Sequence, residues 1–216
     1  MAKGLYVEEQ VVSIQTGPIL IVEDIDQVRE LLEMQLQLRG YRVEGASDGQ
    51  EALTLIETER PAVIVSDILM PRMDGFALAH ALRKDPETAS IPIVFLSATY
   101  VSAEDERFAL NLGALRFLPK PVDADQLFLA VADSLTGQDR PTAAMTERDF
   151  YAGYRQRLEA KLRQKAQQIG RNQQQMQNLP PEQRETYRRL VAEAQSQYDA
   201  IQAELTTLTT MLQDMP

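Results

Sequence analysis

Residues 62–67 of the 216-residue chain read AVIVSD, a nearly continuous apolar run that ends in an aspartate. A run of this kind is typical of a strand that is buried on both faces of a parallel sheet. Four further short runs have β-type composition, and they read PILIVE (18–23), YRVEGA (41–46), IPIVFLSA (91–98) and LRFLPK (115–120). The sequence therefore predicts five strands between residues 18 and 120.

Amphipathic segments separate and follow these runs. They read VRELLEMQLQLRG (28–40), DGQEALTLIETER (48–60), GFALAHALRKD (75–85), SAEDERFALNLG (102–113) and DADQLFLAVADSL (123–135). Helix stop signals accompany them, since the first segment ends at Gly40 and the second stops before Pro61. Alternating strands and helices over residues 18–136 predict a doubly wound α/β domain with a five-stranded parallel sheet.

The pattern becomes purely helical after a polar stretch at residues 137–144, which we interpret as a linker. Apolar residues first recur at helical spacing at Tyr151, Tyr154, Leu158, Leu162, Ile169 and Met176. After a break at NLPP (178–181), they recur in steps of four and three at Tyr187, Val191, Ala194, Tyr198, Ile201, Leu205, Leu208 and Leu212. Residues 145–216 are therefore predicted to form an all-α antiparallel coiled-coil hairpin, with about 33 residues in each helix.

Composition excludes several kinds of site and location. The chain has no cysteine, which excludes disulfides, thiolate metal sites and cysteine nucleophiles, and its single histidine excludes a multi-histidine metal centre. No apolar run is long enough to span a membrane, and residues 1–17 lack the pattern of a secretory signal. We therefore expect a cytoplasmic protein whose residues 1–17 form an N-terminal extension, either disordered or with an added strand at VVSI (11–14).

Charge is spread unevenly along the chain, whose net charge is −10. Residues 1–140 hold 23 acidic and 12 basic side chains, whereas residues 141–216 hold 9 acidic and 10 basic side chains. The acidic part would repel a phosphate backbone, and the helical part has no block of basic residues. Nucleic-acid binding is therefore not expected.

Charged and hydroxyl side chains stand where the predicted strands end. Glu23 and Asp24 follow the first strand, and Asp67 closes the third. Ser97 ends the fourth strand, and Lys120 ends the fifth. Because parallel strands end at the same edge of a sheet, we expect these side chains to converge there. Clustered carboxylates repel one another, and a hard divalent cation such as Mg²⁺ relieves that repulsion.

Four segments together resemble the receiver domain of two-component response regulators, namely ILIVED (19–24), VSDILMPRMDGF (65–76), VFLSAT (94–99) and FLPKP (117–121). Each motif alone is weak, but four in this order and spacing are highly specific, and the resemblance covers about residues 18–136. It implies a flavodoxin-like fold and a signalling protein, not an enzyme. A protein of this family receives its phosphoryl group from a sensor histidine kinase or a phosphotransfer protein.

The resemblance also implies what the acidic residues do. Asp67 is expected to be the phosphoacceptor, and Lys120 is expected to pair with the phosphoryl group. Glu23 and Asp24 are expected to hold Mg²⁺ together with Asp67, with the backbone carbonyl of Leu69 as a further ligand. The acidic pair is Glu–Asp instead of the commoner Asp–Asp, a variant that the family tolerates.

Two further residues match the switch of the family. Ser97 matches the hydroxyl that turns toward the phosphoryl group, and Phe117 matches the aromatic residue that moves with it. Because Phe117 lacks a hydroxyl, burial alone must distinguish its two positions. The resemblance further implies a cis peptide bond between Lys120 and Pro121.

The expected output is a coiled-coil dimerisation or partner-binding switch in which phosphorylation of Asp67 alters the helical hairpin, with a homodimer through the C-terminal helices. Residues 141–216 contain no histidine, which excludes a kinase dimerisation hairpin and a phosphotransfer domain. Three alternatives stay open, one of which is a degenerate receiver that serves only as a scaffold. A DNA-binding transcriptional regulator with an unrecognised helical output would bind with steep salt dependence. A Mg²⁺-dependent phosphatase on the same scaffold would show multiple turnover.

Overall fold

A computed structural model of the chain describes residues 17–98, 102–136, 145–180 and 184–214. Of the predicted N-terminal extension, only Gly17 belongs to these ranges, and the predicted linker at 137–144 lies outside the described residues. The chain divides into two compact units, which comprise residues 1–142 and 143–216.

The first unit alternates five strands with five helices. The strands are β1 (Ile19–Val22), β2 (Val43–Ala46), β3 (Val63–Asp67), β4 (Ile93–Ser97) and β5 (Arg116–Pro119). The helices are α1 (Asp26–Gln37), α2 (Gly49–Thr58), α3 (Gly75–Lys84), α4 (Ala103–Asn111) and α5 (Ala124–Leu135). Every strand pair is parallel and the order is β2-β1-β3-β4-β5, which confirms the predicted doubly wound fold.

The three central strands are apolar except at the carboxyl ends of β3 and β4, because both faces of the sheet are covered. On one face they pack against α1 and α5, through Ile19, Ile21, Leu32, Leu36, Val63, Val65, Val94, Leu96, Leu127, Ala130 and Val131. On the other face, the ring of Phe76 on α3 lies edge-on to Phe95 on β4 at 5.4 Å and to Phe108 on α4 at 5.0 Å. In strands that are covered on both faces, side chains on either face are buried, so polar and apolar residues do not alternate.

Side-chain caps fix where α2 and α3 begin, and both helices begin near the carboxyl ends of the strands. Asp48 Oδ1 accepts hydrogen bonds from the backbone N–H groups of Gln50 and Glu51 at 2.7 and 3.0 Å. Asp74 Oδ1 accepts one from Ala77 N–H at 3.0 Å. Each carboxylate satisfies N–H groups that have no partner within the first helical turn.

The second unit consists of α6 (Glu147–Gln177) and α7 (Arg184–Asp214), which have 31 residues each and pack against each other. Tyr154 near the start of α6 donates a hydrogen bond of 2.7 Å to Glu204 in the second half of α7, so the helices are antiparallel, as predicted. The buried apolar residues of this seam are Phe150, Tyr154, Leu158, Ile169, Ala194, Ile201 and Leu208. All but Phe150 belong to the predicted stripes. Among the described residues, no helix is long and apolar enough to cross a membrane.

Candidate functional site

The sheet places all five predicted strand-end residues at its carboxyl edge. Glu23 and Asp24 follow β1 directly, and Asp67 is the last residue of β3. Ser97 is the last residue of β4, and Lys120 follows β5. The register of the parallel pairs aligns these ends, since Val22 lies beside Ser66, Asp67 beside Leu96, and Ser97 beside Pro119.

Lys120 joins two of the carboxylates. Its Nζ lies 2.6 Å from Glu23 Oε2 and 3.1 Å from Asp67 Oδ2. Glu23 is fully buried, Asp67 is partly buried and Asp24 is exposed, so the site opens to solvent on the side of Asp24. The ammonium therefore bridges the strands β1 and β3 from its position after β5.

Burial and neighbouring charge perturb both ends of this contact. Burial raises the pKa of Glu23 above its usual value, more than the hydrogen bond from Lys120 lowers it, and Asp67 raises it further. For Lys120, burial acts to lower the pKa, but Asp67 and Glu23 together raise it above its usual value. Lys120 is therefore a firmly protonated ammonium, and one ammonium does not fully compensate the acidic groups around it.

The donor set suits a hard divalent cation. One oxygen each from Glu23, Asp24 and Asp67 can be chosen so that all lie within 4.8 Å of one another. Glu23 Oε1 is buried and has no hydrogen-bond partner in the described part of the chain, which leaves one carboxylate oxygen for a cation or its water. Mg²⁺ prefers such oxygen ligands. Leu69 lies in the loop after β3, two residues beyond Asp67.

The backbone next to Asp67 orients its carboxylate. Ile68 N–H donates a hydrogen bond of 2.7 Å to Asp67 Oδ1, while Lys120 contacts Oδ2. The loop then turns back at once, because Gly75 N–H donates to the Ile68 carbonyl at 3.0 Å. A Cβ atom on Gly75 would lie 2.4 Å from the backbone oxygen of Asp67, so only glycine permits this close approach.

The two predicted switch residues lie on the strands next to this cluster. Ser97 is 1% exposed at the end of β4. Phe117 is partly buried on β5 and pairs in register with Phe95 of β4. The Lys120–Pro121 peptide bond is cis, as predicted.

Sequence reasoning missed a pair of residues beside the site. Asp48, which caps α2, forms an ion pair with Arg72 in the loop between β3 and α3. The Asp48–Gly49 pair was visible in the sequence as a helix start, but nothing in the sequence linked it to Arg72. Arg72 has a φ angle of 62°. Residues other than glycine rarely adopt a positive φ, so an arginine in the sequence does not indicate this conformation.

Comparison with known proteins points to one family. Residues 19–132 match the family described as the response regulator receiver domain. A probable transcriptional regulator, ycf27, of Cyanophora paradoxa is 37% identical over 128 residues, which are 59% of this chain and 52% of that protein. The response regulator PleD of Caulobacter vibrioides is 40% identical over 114 residues, which are 52% of this chain and 25% of that protein. The chain thus spans about half or less of these two relatives.

Solved structures agree with the fold. The signal receiver domain of a histidine kinase from Syntrophus aciditrophicus has 35% sequence identity and a TM-score of 0.52, and the match covers 61% of this chain and 98% of that one. The chemotaxis response regulator CheY4 of Vibrio cholerae has 33% identity and a TM-score of 0.52, with 56% and 99% covered. Both matches cover nearly all of a receiver domain and little more than half of this chain.

The raised pKa of Glu23 leads to a prediction about stability. A carboxyl group whose pKa is raised by folding stabilises the fold fully only below its unfolded pKa, near 4.5, and that stability is lost as pH rises through the folded pKa. We therefore expect Glu23→Gln, without Mg²⁺, to raise the free energy of unfolding at pH 7 by about 0.5–2 kcal/mol. The gain should vanish below about pH 4.

Urea unfolding in the presence of a chelator at pH 4 and pH 7 measures this difference. Asp133→Asn, which alters an exposed carboxylate on α5, is the matched control and should change the free energy by less than about 0.5 kcal/mol. An equal gain at both pH values would contradict the assigned cause.

Proposed function

Because the chain belongs to the response regulator receiver family of two-component signalling, we propose that Asp67 accepts a phosphoryl group from a sensor histidine kinase or a phosphotransfer protein. The observation that carries this proposal is the convergence of Glu23, Asp24 and Asp67 on one edge, with Lys120 in contact with two of them. A partly exposed carboxylate beside a fixed ammonium is suited to attack a phosphorus atom.

The transfer is an in-line displacement. A carboxylate oxygen of Asp67 attacks the phosphorus of a phosphohistidine, so that an O–P bond forms while the P–N bond breaks and the imidazole nitrogen keeps the electron pair. Lys120 offsets the negative charge of the transferring group, and the N–H of Ile68 holds the carboxylate in orientation. Water later cleaves the acyl phosphate and restores the carboxylate.

Glu23, Asp24, Asp67 and the carbonyl of Leu69 are the proposed Mg²⁺ ligands. When bound, Mg²⁺ supplies positive charge that offsets the oxygens of the phosphoryl group. The protein then promotes only the formation and loss of its own acyl phosphate. We therefore propose a signalling protein rather than an enzyme with a separate substrate.

Ser97 and Phe117 are proposed to convert the new charge into a change of shape. A phosphoryl group adds about −1.5 to −2 units of charge at pH 7 and three acceptor oxygens. The hydroxyl of Ser97, at the end of the strand next to β3, is proposed to turn toward those oxygens. Phe117 is only partly buried, so its ring can become more deeply buried once Ser97 moves. Packed interiors favour two discrete arrangements over gradual deformation.

The hairpin at residues 145–216, joined to the receiver at 18–136 by a linker at 137–144, is the proposed output, with a homodimer through the C-terminal helices. Two helices share one narrow seam, and five of the eight α7 heptad positions are only partly buried. Leu190 and Met211 on α7 are 42% and 47% exposed. A second hairpin would cover such surface and stabilise the two helices.

A second candidate is a DNA-binding regulator, because several relatives are named as probable transcriptional regulators. The match to those relatives covers about half of each protein and 50–60% of this chain. The hairpin has nearly equal numbers of basic and acidic residues. Salt-sensitive retention of the full chain on DNA would support this candidate, since phosphate contacts weaken steeply with salt.

The phosphoacceptor assignment predicts a simple labelling result. With acetyl phosphate and Mg²⁺, the full chain should gain one phosphoryl group by intact mass spectrometry, and Asp67→Asn should gain none. Lys120→Gln should slow uptake by about 10²- to 10³-fold, because a fixed positive charge is lost. Asp133→Asn on α5 is the control and should label normally. Uptake by Asp67→Asn at the unmodified rate would refute the assignment.

The proposed output predicts a change in mass in solution. Sedimentation of the full chain should give a homodimer whose dissociation constant shifts when beryllofluoride, a phosphoryl mimic, is added with Mg²⁺. In Asp67→Asn the mimic should have no effect. A mass of one chain under all conditions would contradict dimerisation, and a dimer that does not respond to the mimic would contradict its coupling to Asp67.

A further inference from the structure

The loop between β3 and α3, residues 68–74, contains a strained turn. Met73 N–H donates a hydrogen bond of 2.7 Å to the Pro71 carbonyl, which closes a three-residue γ-turn around Arg72. Arg72 has a φ angle of 62°, in the left-handed region that side chains other than glycine avoid. Strain of this kind persists only where the surroundings enforce it.

What enforces the turn is a set of contacts with the start of α2. Arg72 pairs with Asp48, whose side chain is fully buried, and its Nη2 donates a hydrogen bond of 3.0 Å to Ser47 Oγ. Gly49 N–H donates a hydrogen bond of 3.0 Å to the Met73 carbonyl. A Cβ atom on Gly49 would lie 2.7 Å from Met73 Cγ, so the loop and the helix meet without space between them.

Asp48 depends on Arg72 in return. One oxygen of Asp48 caps α2, and the other contacts the guanidinium of Arg72. A buried carboxylate without a counter-charge is strongly unfavourable, so the fold gains when Arg72 adopts the strained turn that brings its side chain there. The backbone conformation alone would favour glycine at position 72, and the need for a positive charge beside Asp48 explains the arginine.

We propose that Arg72 and Asp48 form a latch that holds loop 68–74 in the position from which Asp67 and the carbonyl of Leu69 act. Arg72 is thereby a positioning residue, and this role rests on the proposed phosphoryl transfer at Asp67. The loop directly follows Asp67, and Gly75 fixes its other end next to the Asp67 carbonyl. The latch is the third anchor, and it fixes the middle of the loop. Without it, Mg²⁺ binding must also order the loop, which weakens the binding.

The variants can separate positioning from stability. Asp48→Asn keeps the α2 cap, because asparagine caps as well as aspartate, but it removes the charge that holds Arg72. Arg72→Gln removes the opposite charge, and Arg72→Lys retains it. Arg72→Gly removes the side chain and the backbone strain together. The matched control is Arg42→Gln, which breaks the exposed ion pair between Arg42 and Glu59 at the far end of α2.

The first measurement is the Mg²⁺ dissociation constant of the full chain by calorimetric titration without a phosphoryl donor, which the latch predicts to rise by about five- to thirtyfold in Asp48→Asn and Arg72→Gln. The second is the rate of phosphoryl uptake by the full chain from acetyl phosphate as a function of Mg²⁺ concentration. Asp48→Asn and Arg72→Gln should each raise the Mg²⁺ concentration for half-maximal rate by about five- to thirtyfold, with a smaller change in the limiting rate. The double variant should be no worse than either single one, because both remove the same contact. Arg72→Lys should recover part of the loss, and Arg42→Gln should not differ from the unmodified chain.

Arg72→Gly gives the sharpest distinction. A purely structural arginine predicts unchanged Mg²⁺ dependence in this variant, since glycine relieves the strained turn, whereas the latch predicts a loss similar to that of Arg72→Gln. Unchanged Mg²⁺ dependence in Arg72→Gly and Asp48→Asn, even with lowered thermal stability, would overturn the latch and leave the proposed function intact. Failure of the unmodified chain to take up a phosphoryl group would overturn the proposed function and the latch together.

Discussion

The crowding of three carboxylates around one ammonium is the constraint on which the site depends. Glu23 is fully buried, and Lys120 contacts both Glu23 and Asp67, yet the pKa of Glu23 stays above its usual value. The fold therefore holds an acidic cluster that its own positive charge does not fully balance. An arrangement of this kind is less stable than it would be with neutral side chains, which is typical of functional sites rather than of packing.

The rest of the receiver can be understood as the support of that cluster. A parallel sheet brings the ends of β1, β3 and β5 to one edge, and covered faces keep those strands in register. Local contacts then refine the position of Asp67, from the Ile68 N–H to the close approach of Gly75. The strained turn at Arg72 belongs to the same support, because it connects the loop after Asp67 to the cap of α2.

The sequence was most informative where a physical period or a strand end was involved. Continuous apolar runs located the strands, and strand ends located Glu23, Asp24, Asp67 and Lys120, because parallel topology converts sequence position into spatial convergence. The latch escaped prediction because its two residues are 24 positions apart and neither belongs to a periodic pattern. Phe150 was missed because the predicted stripe began at Tyr151. A periodic pattern locates the start of a helix only to within one or two residues. The sequence of the hairpin contains no catalytic, metal-binding or basic motif. Only the packing of its two helices, and not its function, could therefore be predicted.

The most direct test of the central claim is a calorimetric Mg²⁺ titration of the full chain without any phosphoryl donor. If Glu23, Asp24 and Asp67 share one cation, the titration should give one site per chain, and Asp24→Asn should weaken it by at least about tenfold while the fold is retained. Asp24 is the informative position because its exposed side chain contributes little to the core. Absence of Mg²⁺ binding, or equally tight binding by Asp24→Asn, would contradict the account.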